Sequence, residues 1–279
     1  LGHLLSMTIW SQPKIDAHCH VLDPQRFAYG ADVAYKPAGQ EIGSASYFKE
    51  VMDCYGVQHA LLVGPNSGYA TDNTCLLDAI ASHPGVFKGV AVVPNDTPTE
   101  TLQDLQSRGI VGLAFNPSLM GFDYYQDLEP LLRRLQQLDM WAQFQVEHHQ
   151  LIDFLPMLSR VGVKIMIDHC GRPHVPAGLG QPGFADLLAL GREGRAVVKL
   201  SGFAKFSQTG FPFADARPYV EALVQAFGLK QCVWASDWPY LKAPYRLDYG
   251  PLLKVYERMF SPAELHQLMW LSAKQQYGF

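Results

Sequence analysis

Apolar residues in this chain fall into short runs, each followed by a longer stretch in which they recur at helical spacing. The runs are Lys14 to Val21, Gln58 to Val63, Phe87 to Val93, Ile110 to Phe115, Met140 to Val146, Val163 to Ile167, Ala196 to Leu200 and Cys232 to Ala235. None alternates strictly between apolar and polar, so each is expected to be covered on both faces, as the strands of a parallel sheet are. Eight strand–helix units in 279 residues predict an α/β fold, a single TIM (β/α)8 barrel, whose usual size is about 250 residues. Thr97-Pro98-Thr99-Glu100 and Ser261-Pro262-Ala263-Glu264 both read as capping boxes with proline at the first helical position. Gly85, Gly109, Gly162 and Gly228 stand where a helix end often wants a left-handed residue. Helices over Leu247 to Phe260 and Pro262 to Tyr277 are expected to complete the outer ring.

No linker, charge block or repeat divides the chain, so residues 13–279 are expected to form one barrel domain behind an N-terminal extension, 1–12. Met7-Thr8-Ile9-Trp10 would make a natural beginning, and the residues before it are set aside. The stretch Leu1 to Met7 has no basic region and no small-residue cleavage pattern, so no export signal is expected.

Composition narrows the function classes. A 48% hydrophobic content, with 12% aromatic residues, is enough for a large core. A net charge of −4 gives no electrostatic footprint for nucleic acid or an anionic membrane, and no run of about 18 apolar residues is present. The five cysteines are scattered without a C-x-x-C spacing, which predicts no disulfide framework, no thiolate zinc site and a cytoplasmic setting.

A barrel carries its chemistry at the C-terminal ends of its strands. His18 and His20 end the first predicted strand, Asp168 and His169 the sixth, Lys199 and Ser201 the seventh, Ser236 and Asp237 the eighth. Strand alternation predicts that both imidazoles of His18 and His20 project to one face. Asp237 could cap a following helix, but Trp238-Pro239 predicts extended backbone there. On the fifth strand Gln145 or Glu147 faces inward in one register and His148 in the other. An inward Lys199 would need a partner such as Glu147 or a substrate carboxylate; otherwise it reaches the solvated rim. Cys19 and Cys170 are expected to be small apolar fillers facing the helices.

The segments Ile15-Asp16-Ala17-His18-Cys19-His20, Ile167-Asp168-His169-Cys170-Gly171-Arg172-Pro173 and Ala235-Ser236-Asp237-Trp238-Pro239 together resemble the amidohydrolase superfamily. More narrowly, they are similar to the branch holding 2-pyrone-4,6-dicarboxylate lactonase and sugar-acid lactonases. Val63 to Asn73 and Val198-Lys199-Leu200-Ser201-Gly202 extend the resemblance over essentially the whole chain. It implies a lactonase in which Asp237 is the general base on the hydrolytic water and His18, His20 and His169 polarise the lactone carbonyl. It also implies substrate contacts from Arg172, Lys205, Tyr35, Asn73 and Gln145, although Asp72 could equally cap the next helix.

One departure bears on substrate. In Gly112-Leu113-Ala114-Phe115-Asn116-Pro117-Ser118-Leu119-Met120, Ala114 stands where the family carries arginine, and Ser118, Leu119 and Met120 replace basic residues expected downstream. Fewer cations predict a lactone with one carboxylate, or a sugar-acid lactone, rather than the pyrone dicarboxylate. The branch resembled works without metal, so no metal is expected to be obligatory. The alternative is one divalent ion, zinc or manganese, on His18, His20, His169 and Asp237. Competing readings are a lactone isomerase, a metal-dependent decarboxylase, which would need His148 inward, and a sugar-acid-binding barrel without turnover. The expected partner is a small-molecule lactone; the oligomeric state is not readable.

Overall fold

The structure, a computed structural model, describes Gly2 and Met7 to Phe279. The rest of the N-terminal stretch weighed for an export signal lies outside the described residues. The strands are β1 (Lys14–Cys19), β2 (Val57–Val63), β3 (Phe87–Ala91), β4 (Ile110–Phe115), β5 (Trp141–Phe144), β6 (Lys164–Ile167), β7 (Ala196–Leu200) and β8 (Cys232–Trp234). They form one eight-stranded sheet in the order β1 to β8, the (β/α)8 TIM-barrel class expected from the apolar runs. The α-helices are α1 (Ala45–Cys54), α2 (Thr74–Ser82), α3 (Thr99–Ser107), α4 (Pro117–Met120), α5 (Glu129–Gln137), α6 (Leu151–Arg160), α7 (Phe184–Arg192), α8 (Arg217–Phe227), α9 (Tyr249–Met259), α10 (Pro262–His266) and α11 (Ser272–Tyr277). Among the described residues, no helix is long and apolar enough to cross a membrane.

Contacts divide the chain into two compact units, Leu1–Val92 with Val233–Phe279, and Val93–Cys232. In the first, β1, β2 and β3 pair in parallel. The register between β1 and β2 slips twice and recovers: β2 gains a residue between Lys14 and Ile15 (Val57 to His59), and β1 gains one between Asp16 and Cys19 (Ala60 to Leu62), a bulge beside His18. Such a bulge re-aims the side chains beside it. Ser44 caps α1 by accepting from the Tyr47 N–H, and Phe48 on this helix is fully buried, its ring 4.6 Å from that of Trp238. Burying a phenylalanine in this way contributes about 1.5–3 kcal/mol.

In the second unit β4, β5, β6 and β7 pair in parallel. Leu131, Leu132 and Leu135 form the buried stripe of α5, and Tyr219, Val220, Leu223 and Phe227 that of α8. Phe144 packs against Phe115 and Phe154 at 5.3 Å from each. Gly112 is required beside β5, since a Cβ there would sit 2.6 Å from the Trp141 carbonyl oxygen.

Three local expectations are corrected. Ser261 makes the full capping box with Glu264, whereas Thr97 caps nothing: its hydroxyl donates to the Pro94 carbonyl, and α3 starts after Pro98 with no side-chain cap. Gly85, Gly109 and Gly228 take positive φ, but Gly162 does not, because α6 is left through an extended step at Val161. The helix expected over Pro262 to Tyr277 widens into a π segment, Gln267–Leu271, between α10 and α11.

Candidate active site

In the first unit the end of β1 meets the loop after β8. The His18 and His20 rings lie edge to face, 5.0 Å apart, and the Nε2 of each is 3.7 Å from the same atom, Oδ1 of Asp237. Backbone bonds fix this arrangement: the Asp237 N–H donates to the His18 carbonyl at 2.9 Å and the His20 N–H to the Trp238 carbonyl at 2.8 Å. The His20 Nδ1 lies 2.8 Å from the Val63 carbonyl. A carbonyl only accepts, so Nδ1 carries a proton and Nε2 is left facing the carboxylate.

Asp237 is not extended as its proline-flanked sequence suggests; it takes φ 62°, in the left-handed region, and the following Trp238–Pro239 peptide is cis. Non-glycine residues occupy that region at a cost of about 1–3 kcal/mol and cluster at functional sites. The Trp238 ring lies against Gly43, where a Cβ would come within 2.0 Å of it. Asp16, given no role in the sequence reading, is completely buried here. It accepts from the Ser236 N–H (2.9 Å), the His18 N–H (3.3 Å) and the Tyr249 hydroxyl (2.8 Å). Burial pushes its pKa up to about 6, with the hydrogen bonds pulling the other way.

Two candidate substrate contacts also lie in this unit. The Tyr35 hydroxyl donates to Glu41, which accepts the Lys242 N–H at 2.6 Å, and the Lys242 ammonium lies 4.7 Å from the Tyr35 ring centre. This ties the loop after β1 to the loop after β8. Asn73 is bound to main chain. Its amide donates to the Val92 carbonyl (2.9 Å) and accepts the Val92 N–H (3.2 Å), so both polar atoms hold the end of β3. Asp72 accepts from the N–H and hydroxyl of Thr74 at the start of α2.

In the second unit, β6 ends in a turn with positive φ at His169 (50°), Cys170 (57°) and Arg172 (43°). His169 is fully buried, its Nδ1 2.9 Å from the Ser201 hydroxyl. Gly202 lets the ring lie flat on the β7 end: a Cβ there would be 2.5 Å from the imidazole Cγ. Lys199 does not reach the rim. It is fully buried, with Nζ 2.6 Å from Gln143 Oε1 and 3.3 Å from Asp168 Oδ1, and Gln143 donates to the other Asp168 oxygen at 3.0 Å. Its partner is thus Asp168, not Glu147. Cys170 is buried and its thiol pushed up to about 12, so it offers no thiolate nucleophile.

Arg172, Gln145, Glu147 and Ser118 form one polar network. The Arg172 guanidinium donates to the Ser118 hydroxyl (3.1 Å) and pairs with Glu147 (3.2 Å), and Gln145 donates to the same hydroxyl (3.2 Å). Lys205 is half-buried in a short turn, Phe203–Lys205. His148, the open question of the fifth strand, is exposed with φ 51° and its ring 5.3 Å from that of His174. Alternation could not settle it, because β5 already ends at Phe144.

Two imidazole nitrogens facing one carboxylate oxygen are a donor set that suits a divalent ion of the zinc or manganese kind. Their 3.7 Å separations exceed direct hydrogen bonds.

The chain belongs to the amidohydrolase family, whose model matches residues 15–279. The chain is similar to a 2-pyrone-4,6-dicarboxylate hydrolase of Comamonas testosteroni, with 27% identity over 266 residues, 91% of this chain and 86% of the relative. It is also similar to a 4-sulfomuconolactone hydrolase of Rhizobium radiobacter, with 28% identity over 258 residues, 88% and 83% of the two chains. Among solved structures, a probable 2-pyrone-4,6-dicarboxylic acid hydrolase from Acinetobacter baumannii with citric acid bound superimposes with TM-score 0.84 at 26% identity, covering 95% of this chain and 99% of that one.

Proposed function

We propose that this protein, acting as one domain over residues 13–279, hydrolyses a lactone, with Asp237 as the base that activates water. The observation that carries this reading is the convergence of His18 Nε2 and His20 Nε2 on Asp237 Oδ1. Water held there gives a proton to Asp237 as its oxygen attacks the carbonyl carbon. We assign the polarisation of the carbonyl oxygen, as it becomes an oxyanion, to the imidazoles of His18, His20 and His169. The ring C–O bond then breaks, and the departing oxygen takes up the proton while remaining tethered in the product. His18, His20, His169 and Asp237 are the residues that would hold a divalent ion. A bound divalent ion would supply Lewis-acid polarisation of the carbonyl.

The substrate we infer is a lactone with one carboxylate, or a sugar-acid lactone. Two features support it: Ala114 brings no cation, and Arg172 is already paired with Glu147, which lowers its capacity for a second anionic group. Tyr35, Lys205 and Gln145 complete the proposed substrate contacts.

A pH-indicator assay on muconolactone, galactaro-1,4-lactone and 2-pyrone-4,6-dicarboxylate, with and without chelator, tests the reading. Proton release is expected from the first two; product formation without proton release would indicate isomerisation, and preference for the dicarboxylate would overturn the substrate inference. Asp237→Asn is expected to lower kcat by about a thousandfold or more with the fold retained.

A further inference from the structure

Asp16 costs free energy to bury and contacts no solvent, so its place in the fold calls for a reason. One of its oxygens, Oδ1, receives the backbone N–H of His18 and the backbone N–H of Ser236, the residue immediately before Asp237. The other oxygen accepts from the hydroxyl of Tyr249 on α9. The Ser236 side chain in turn accepts the Trp238 N–H at 3.0 Å, on the far side of Asp237. A single carboxylate therefore ties the residue bearing the first imidazole to the segment bearing the carboxylate opposite it, and a helix holds that carboxylate from behind.

We propose that Asp16 is a positioning residue that sets the spacing between His18 and Asp237, with Tyr249 as its support. This rests on the reading of Asp237 as the base. Only a carboxylate or amide at position 16 can accept from both N–H groups at once. Without that acceptor, Asp237 keeps its unfavourable left-handed backbone but loses one of the bonds that hold it there. The substrate contacts proposed above are other residues than those of this junction, so a displaced Asp237 should slow chemistry without weakening binding. Misplacing a reacting group by about 1 Å costs on the order of a hundredfold in rate.

The test compares Asp16→Ala, Asp16→Asn and Tyr249→Phe on muconolactone or galactaro-1,4-lactone, whichever the wild type turns over, with thermal unfolding measured alongside. Asp16→Ala is expected to lose about a hundredfold in kcat with KM within threefold. Asp16→Asn keeps an oxygen acceptor and should restore kcat to within about fivefold of wild type. Tyr249→Phe should fall between, again in kcat alone. A folded Asp16→Ala with wild-type kcat would overturn the proposal, as would an Asp16→Asn no better than alanine, or losses that appear in KM. If the alanine variant does not fold, Asp16→Asn and Tyr249→Phe decide by the same split. Asp237→Asn is the control: if it stays active, the base assignment fails, whatever Asp16 does.

Discussion

Near the candidate site residues the two units anchor their buried polar groups differently, although Thr97 and Gln181 of the second also bind main chain and Asp16 of the first also accepts from Tyr249. In the first, side chains bind main chain: Asp16 takes N–H groups, Lys14 gives its ammonium to the carbonyls of Gln12 and Tyr55, His20 binds the Val63 carbonyl, and Asn73 binds both polar atoms of Val92. In the second, side chains bind side chains: Lys199 with Asp168 and Gln143, His169 with Ser201, Arg172 with Glu147 and Ser118. Main-chain partners persist whatever residue replaces the neighbour, whereas side-chain partners vanish with one substitution. The proposed base is thus set in a frame that sequence change hardly touches, while the proposed recognition wall can be rewritten residue by residue.

The sharpest challenge to that contrast is Lys199→Met, which leaves the buried Asp168 without its lysine and should destabilise the protein by about 3–5 kcal/mol in urea unfolding. Adding Asp168→Asn should recover part of the loss; no recovery would mean that the lysine is not held chiefly by charge.

Lys14 should respond more mildly and with pH. Burial lowers its pKa to about 8 from 10.5. Between these values the unfolded chain keeps a proton that the folded protein has released, so stability should rise with pH across the interval, by roughly 2 kcal/mol. Unfolding of wild type and Lys14→Met between pH 7 and 10.5 checks this: the difference should shift in favour of the wild type as pH rises, and parallel curves would refute it.

The smallest effect expected is the most specific. Glu147→Gln should leave stability nearly unchanged but release Arg172, raising kcat/KM for a dianionic lactone over a monoanionic one by about tenfold. An equal change for both would show that Glu147 does not tune charge.

The strands were legible because both faces are covered, which writes each as a compact apolar run. Most candidate site positions were named from strand ends, and the structure places them at or just after those ends. The missing parts share a cause: their partners are remote in sequence. Asp16 is 220 residues from Ser236 and 233 from Tyr249, and Lys199 is 56 from Gln143, so no local pattern announces them. Thr97 shows the converse failure, a local motif overruled by a nearer carbonyl at Pro94. Alternation put the rings of His18 and His20 on one side, and both do face Asp237, but β1 stops at Cys19 and its register slips just before it, so alternation alone does not account for their placement. What brings the two rings to one carboxylate is the strand's termination and the His20–Trp238 backbone bond.

The two slips of register along β1 cancel, five steps from Lys14 to Cys19 against five from Val57 to Leu62, and this says something about how such barrels can be recombined. A chimaera that borrowed this segment from a relative with an unbroken register would keep its length yet set Ala17 and His18 elsewhere along β2, even with every side chain matched. Where the slip falls, more than chemical identity, would decide whether a hybrid inherits a working centre.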